Sequence, residues 1–123
     1  MDASAVVRFL RGELPSRGMK RMKEFIDGKY DLSFVTRIEL LSWKSTEQEA
    51  RDVRDLIAGG IERGLTEEII PEIIHIRRDV GLKLPDALIV ATALALRATL
   101  VADNDRDFLR VPGLDYFNPT RPR

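Results

Sequence analysis

Apolar residues recur along this chain in short clusters, and most clusters repeat at the spacing of one helix face. Val6, Val7, Phe9 and Leu10 define a first helix that Ser4 is placed to cap and that Gly12 and Pro15 end. Residues 16–26 predict a second helix, with Met19, Met22 and Phe25 or Ile26 inward and Lys20, Arg21 and Lys23 outward; Gly28 closes it. Leu32 to Val35 reads as a short strand, after which Thr36 starts a helix carrying Ile38, Leu40 and Leu41. Ser45-Thr46-Glu47-Gln48 has the form of a capping box, Ser45 pairing with Gln48. It opens a helix towards Ile57 and Ala58, which Gly59-Gly60 interrupts.

Residues 66–79 are again helical in composition, and Pro71 leaves two ways to start them. Either Thr66 caps the helix and Pro71 strains it, or residues 65–70 are extended and Pro71 is the first helical residue. Residues 85–96 are apolar nearly all round, which predicts a buried central helix. The continuous apolar run 98–102 predicts a fully buried short strand. Short strands alternating with helices predict an α/β architecture, a short and mainly parallel central sheet flanked by helices.

Composition narrows the chemistry. A length of 123 residues suits one domain, 1–123, able to bury a core without staples. The absence of cysteine excludes disulfides, zinc-thiolate sites and cysteine nucleophiles. His75 is the only histidine; it reads as a helix-surface residue, and no nucleophile-elbow pattern accompanies it. Twenty basic and twenty acidic residues cancel, so the chain as a whole is not a strongly basic nucleic-acid binder, although local patches can be. Lys20, Arg21 and Lys23, with Arg8, Arg11 and Arg17, form such a patch, suited to RNA phosphates or to a solvated helix face. Trp43 reads as a core or interface residue rather than a base-stacking platform. Nothing resembles a signal peptide and the longest apolar run is too short to span a bilayer, so the expectation is a soluble cytoplasmic protein with no membrane partner.

Several carboxylates sit beside apolar runs. Asp2 opens the chain, Glu39 lies in Phe-Val-Thr-Arg-Ile-Glu-Leu-Leu, and Asp86 in Leu-Pro-Asp-Ala-Leu-Ile; Asp103, Asn104 and Asp105 follow Thr-Leu-Val-Ala. Acids next to core segments are costly unless something positive neutralises them, and a hard divalent cation takes oxygen ligands from carboxylates. Asp2, Glu39 and the 103–105 group fall at or just after expected strand ends, where ligands bind in parallel sheets. Each also has a plainer reading: a solvated terminus for Asp2, a pair with Lys44 or Arg37 for Glu39, a first-turn helix acid for Asp86, and a polar turn for Asp103, Asp105 and Asp107.

Four blocks resemble one known family. Residues 1–13 look like the opening of a PIN domain, and residues 34–40 match its segment with a Thr three residues before a Glu. Leu-Lys-Leu-Pro-Asp-Ala-Leu-Ile, within residues 82–96, resembles the corresponding block of VapC-type toxins, and residues 98–108 resemble the closing strand and its acidic turn. The resemblance implies a three-layer PIN-like fold and a metal-dependent endoribonuclease, the toxin of a VapBC toxin–antitoxin pair. It implies magnesium or manganese as cofactor, RNA as substrate, a homodimer, and a cognate VapB-like antitoxin that reaches into the active site.

Asp2, Glu39 and Asp86 match the family's three acidic positions. Asn104, or Asp105 along the family's shorter variant, takes the fourth metal-site position, with Asp105 bringing a full charge. In this chemistry Asp2 and Asp86 are expected as direct ligands, Glu39 as a ligand through water or the group that orients or deprotonates it, and Thr36 as a bond to a carboxylate. The chain departs from the family in three places. Ala3 and Ala102 stand where hydroxyl residues are usual. Only Met1 precedes Asp2, so either the first strand is very short or the natural chain starts upstream. Two further readings are an RNA-processing PIN nuclease without antitoxin and a degenerate PIN domain that binds without cutting, the latter disfavoured by the intact acids.

Overall fold

Leu100 and Val101 are adjacent and buried, yet they belong to different hydrophobic clusters. Neighbours on a strand must do so when both faces are covered, because successive side chains point to opposite sides. In the computed structural model, which describes residues 1–122, these two residues form β3. The order is α1 (Ala3–Leu10), α2 (Ser16–Asp27), β1 (Asp31–Ser33), α3 (Phe34–Ser42), α4 (Glu47–Gly59) and β2 (Ile61–Arg63). A 3-10 turn (Glu67–Ile69) then runs into α5 (Ile70–Asp79), followed by α6 (Leu84–Leu96), β3, α7 (Asp105–Phe108) and β4 (Tyr116–Phe117).

The strands make two parallel pairs. β1 aligns with β2, Leu32 opposite Glu62, and β3 with β4, Val101 opposite Phe117. The two pairs are not hydrogen-bonded to each other; Met1 lies between them, against a cavity of about 40 Å³ also lined by Asp31, Ser33 and Leu100. On one side, α5 and α6 supply Ile73, Ile76, Ile89 and Val90 to a cluster that includes Leu100 and Phe108. On the other, Val6, Met22, Leu32, Val53 and Leu56 pack with Val101. Helix α3 serves both, Val35 in the first cluster and Leu40 in the second. The mixed α/β architecture with parallel strands is the one expected.

Several boundaries shift for local reasons. Asp2, not Ser4, is the N-cap of α1, and it makes no side-chain cap bond; Ser4 lies inside the helix. Strand β1 ends at Ser33, whose hydroxyl accepts from the Val35 N–H and starts α3 ahead of Thr36. The capping box of α4 is Thr46 with Glu49, one residue on from Ser45 with Gln48. A carboxylate at that position answers the positive end of the helix as well as the N–H, which a glutamine cannot. Pro71 falls in the first turn of α5, as in the second of the two readings, although a 3-10 turn replaces half of the extended stretch. Strands β2 and β4 had no expectation attached: each is three residues or fewer, too short for any period. The Gly59-Gly60 interruption has a packing reason, because the Tyr30 ring lies 2.8 Å from where a Gly60 Cβ would stand.

Gly18 locks the C-terminal segment to α2. A Cβ there would meet the Pro119 carbonyl oxygen at 1.9 Å, a contact no side chain can make. Gly18→Ala should destabilise the fold by about 1–3 kcal/mol, as overpacking does, despite alanine's better helix propensity. A melting temperature equal to or above the parent's, measured by calorimetry, would remove this close approach from the account. Among the described residues, no helix is long and apolar enough to cross a membrane.

Candidate active site

The backbone sets three acids near one another. Asp2 follows buried Met1, and its N–H donates to the Val101 carbonyl (2.7 Å), which fixes it beside the end of β3. Thr36, fully buried in α3, donates from Oγ1 to the Met1 carbonyl at 2.8 Å. This corrects the expected bond from Thr36 to a carboxylate: a buried hydroxyl takes the nearest unpaired backbone oxygen, and so holds the segment that carries Asp2. Glu39 lies in the second turn of α3, and Asp86 in the first turn of α6, just after Pro85 at a position where proline starts a helix. Asp2 therefore leaves one hydrophobic cluster, Asp86 opens the helix that fills the other, and Glu39 rides the helix shared by both.

Their electrostatics identify them as a group. Burial, then the charges of Asp103, Glu39 and Asp86, push the Asp2 carboxyl up to about 6. Burial and the Asp86 charge raise Glu39; burial and the Asp107 charge raise Asp86, against a smaller opposing pull from Lys83. Among the described residues, none of the three forms an ion pair. A structural acid normally acquires a cationic or N–H partner; these three lack an ion pair, and Asp2 and Glu39 feel the charge of the others instead.

The acidic turn after β3 divides its roles in a way the sequence did not disclose. Asp103 accepts from Ser4 Oγ (2.7 Å) and Arg8 Nε (2.9 Å), at the margin of the group, and its charge reaches Asp2. Asn104 caps α7, accepting from the Asp107 N–H and donating from Nδ2 to the Asp107 carboxylate. Asp105 is held by Tyr116, Asn118 and Arg121, which keep its carboxyl well below the usual carboxylate range. Asp105 is absent from the charges that raise Asp2, Glu39 or Asp86, whereas Asp107 acts on Asp86. Asp103 and Asp107, which shared the polar-turn alternative with Asp105, thus stand nearer the group electrostatically than Asn104 and Asp105. The four-residue helix α7 decides this, and a register of so few residues has no apolar signature.

Carboxylate oxygens are the donors that magnesium or manganese prefers, and mutual repulsion with so little positive charge nearby is the condition a divalent cation relieves. As they stand, among the described residues, no three acidic or histidine side chains are close enough together to enclose an ion. Like charges repel, and among the described residues the only positive charges that act against this are the Met1 ammonium on Asp2 and Lys83 on Asp86, each a smaller effect than burial. The donor chemistry fits a hard cation.

A model of the PIN domain matches residues 1–114. The chain belongs to the PIN domain family. A toxin–antitoxin complex from Klebsiella pneumoniae is similar to this PIN domain at a TM-score of 0.76 and 27% identity, covering 96% of this chain and 94% of that one. VapBC2 from Rickettsia felis, bound to a DNA fragment from its promoter, superposes at 0.75 with 17% identity and 95% of each chain covered. VapBC-1 from nontypeable Haemophilus influenzae gives 0.75 with 21% identity, over 98% of this chain and 96% of that one. The last two likenesses show a common fold. No curated protein matches this chain by sequence. Asp2, Glu39 and Asp86 all lie inside the matched segment, as do the acidic turn and α7; β4, Asn118 and Arg121 lie beyond it.

Proposed function

We propose that this PIN domain is a metal-dependent endoribonuclease, the toxin of a type II toxin–antitoxin pair, hydrolysing RNA phosphodiesters. The observation that carries the chemistry is the set of three acids, Asp2, Glu39 and Asp86, whose pKa values rise together without a paired cation. The 27% identity and near-complete overlap with a chain of a toxin–antitoxin complex support the pairing with a VapB-like antitoxin.

Asp2 and Asp86 would hold a magnesium or manganese ion directly, and Glu39, the most exposed of the three, would hold or orient the attacking water. Bound there, such an ion would polarise the phosphoryl oxygen and lower the pKa of water. Asp2 is presented by a backbone fixed from two sides, by Val101 and by Thr36, so its carboxylate needs little reorganisation. Asp86 is presented by a helix whose body is buried, which keeps its start from shifting. On the outer surface, Lys20 and Lys23 line a groove along α2, but Glu24 and Asp27 line it too, so its charges balance and it offers RNA phosphates no net attraction.

Purified protein, freed of any bound antitoxin, should cut single-stranded RNA when supplied with magnesium or manganese and should stop in excess chelator. Cleavage that persists in chelator would overturn the metal-dependent reading. Co-purification of a small basic-armed or acidic partner encoded beside it would separate a toxin from a stand-alone processing nuclease.

A further inference from the structure

The C-terminal segment does more than complete a strand pair. Tyr116 Oη (2.8 Å), Asn118 Nδ2 (2.9 Å) and Arg121 Nη2 (2.7 Å) all donate to one oxygen of Asp105, and Arg121 Nε donates to the other at 3.1 Å. The guanidinium thus grips the carboxylate as a fork, the geometry that gives an ion pair direction as well as attraction. Asn118 is itself buried, and its side-chain oxygen is fixed by the Thr120 N–H (2.9 Å) and hydroxyl (2.6 Å). Pro119 lies against Gly18 of α2, so the hook rests on a helix rather than hanging in solvent. The helix it grips, α7, has four residues, too few to hold its own position.

We propose that Arg121, with Asn118, is a positioning residue for the acidic centre, clamping Asp105 so that Asp103 and Asp107 on either side of it stay at the margin of Asp2 and Asp86. Asp105 is then an anchor and not an ion ligand. The two flanking acids fit this role: Asp103 is tied to α1 through Ser4 and Arg8, and Asp107 to Asn104 and Arg110. Asp105 lies between these attachments, with both of its oxygens committed to the strap.

This inference rests on the ion-dependent reading above, and magnesium alone is the probe that keeps the two separable. Magnesium binding is measured by calorimetry on the intact parent chain, on Arg121→Gln and on the swap Asp105→Arg with Arg121→Asp. Folding is checked by circular dichroism, and amide exchange is followed over residues 103–108. Arg121→Gln should weaken magnesium about tenfold, as loss of an outer partner does, and speed exchange in the turn, with the KM for RNA unchanged and kcat reduced. The swap restores the ion pair without a carboxylate at position 105 but leaves Asn118 Nδ2 without its acceptor, so it should recover part, not all, of the affinity lost in Arg121→Gln if the anchor matters. A folded swap variant that stays as weak as Arg121→Gln would overturn the proposal and return Asp105 to the ligands. So would an Arg121→Gln protein that melts lower but binds magnesium as the parent does. Should the swap fail to fold, Arg121→Lys keeps the charge without the fork: partial retention of affinity supports the clamp, and loss equal to Gln overturns it. Absence of magnesium binding in the parent would instead sink the ion-dependent reading itself.

Discussion

Asp86→Asn should lower RNA cleavage by on the order of 100-fold or more while leaving the protein folded. The carboxylate sits in the first turn of a helix whose buried residues begin at Ala87, and an amide of the same shape preserves that packing. Loss of an outer partner of a metal ligand already costs about 10- to 100-fold, so loss of a direct ligand should cost at least as much. The substitution also removes a charge that raises both Asp2 and Glu39. Its magnesium requirement should shift to higher concentration for that reason. Unchanged single-turnover rates at saturating magnesium would remove Asp86 from the centre and leave it a first-turn acid of the kind helices favour.

Asp2→Asn should raise stability in chelator at neutral pH, an unusual sign for a substitution at a half-buried position of a folded chain. The Asp2 carboxyl titrates at about 6 in the fold, against 3.8 for an ordinary aspartate. The folded state thus holds this proton more tightly than the unfolded state does. Stability from this group is fully present below about 4, falls as pH rises towards 6, and is absent above it. The cost at pH 7.5 is on the order of 2–3 kcal/mol, an upper figure for a group that keeps some contact with water. Asn at position 2 should lift the melting temperature at pH 7.5 and flatten its rise between pH 7 and pH 4. It should also diminish the stabilisation that added magnesium gives. A variant that melts lower across this whole range, with its magnesium response intact, would mean that Asp2 is a structural acid.

How much of this was legible beforehand follows from the length of each signal. Residues 85–96 carry an apolar run long enough to announce a buried helix, and the acid at its start could be picked out because it opens that run. Glu39 was visible through its setting beside Ile38, Leu40 and Leu41, although the structure buries only Leu40 and leaves Ile38 and Leu41 exposed. The acidic turn was legible as a group and not by member. Which of Asp103, Asn104, Asp105 and Asp107 faces the centre depends on a single helical turn and on Arg121, sixteen residues away from Asp105. Contacts of that kind leave no local trace. Neither does the backbone duty of Thr36, since a hydroxyl near a carboxylate suggests a bond to the carboxylate until the burial of the Met1 carbonyl is known.

The two hydrophobic clusters meet where the acids stand, and this makes the site a joint between them. Helix α6 belongs to one half, the Met1–Asp2 stub to the other, and α3 is packed into both. Like charges at such a junction act as a wedge, pressing apart two bodies that apolar contact presses together. Any cation seated between them, whether an ion or a side chain brought by another protein, turns the wedge into a rivet. A ligand of the right charge therefore gains affinity by relieving the repulsion among these carboxylates.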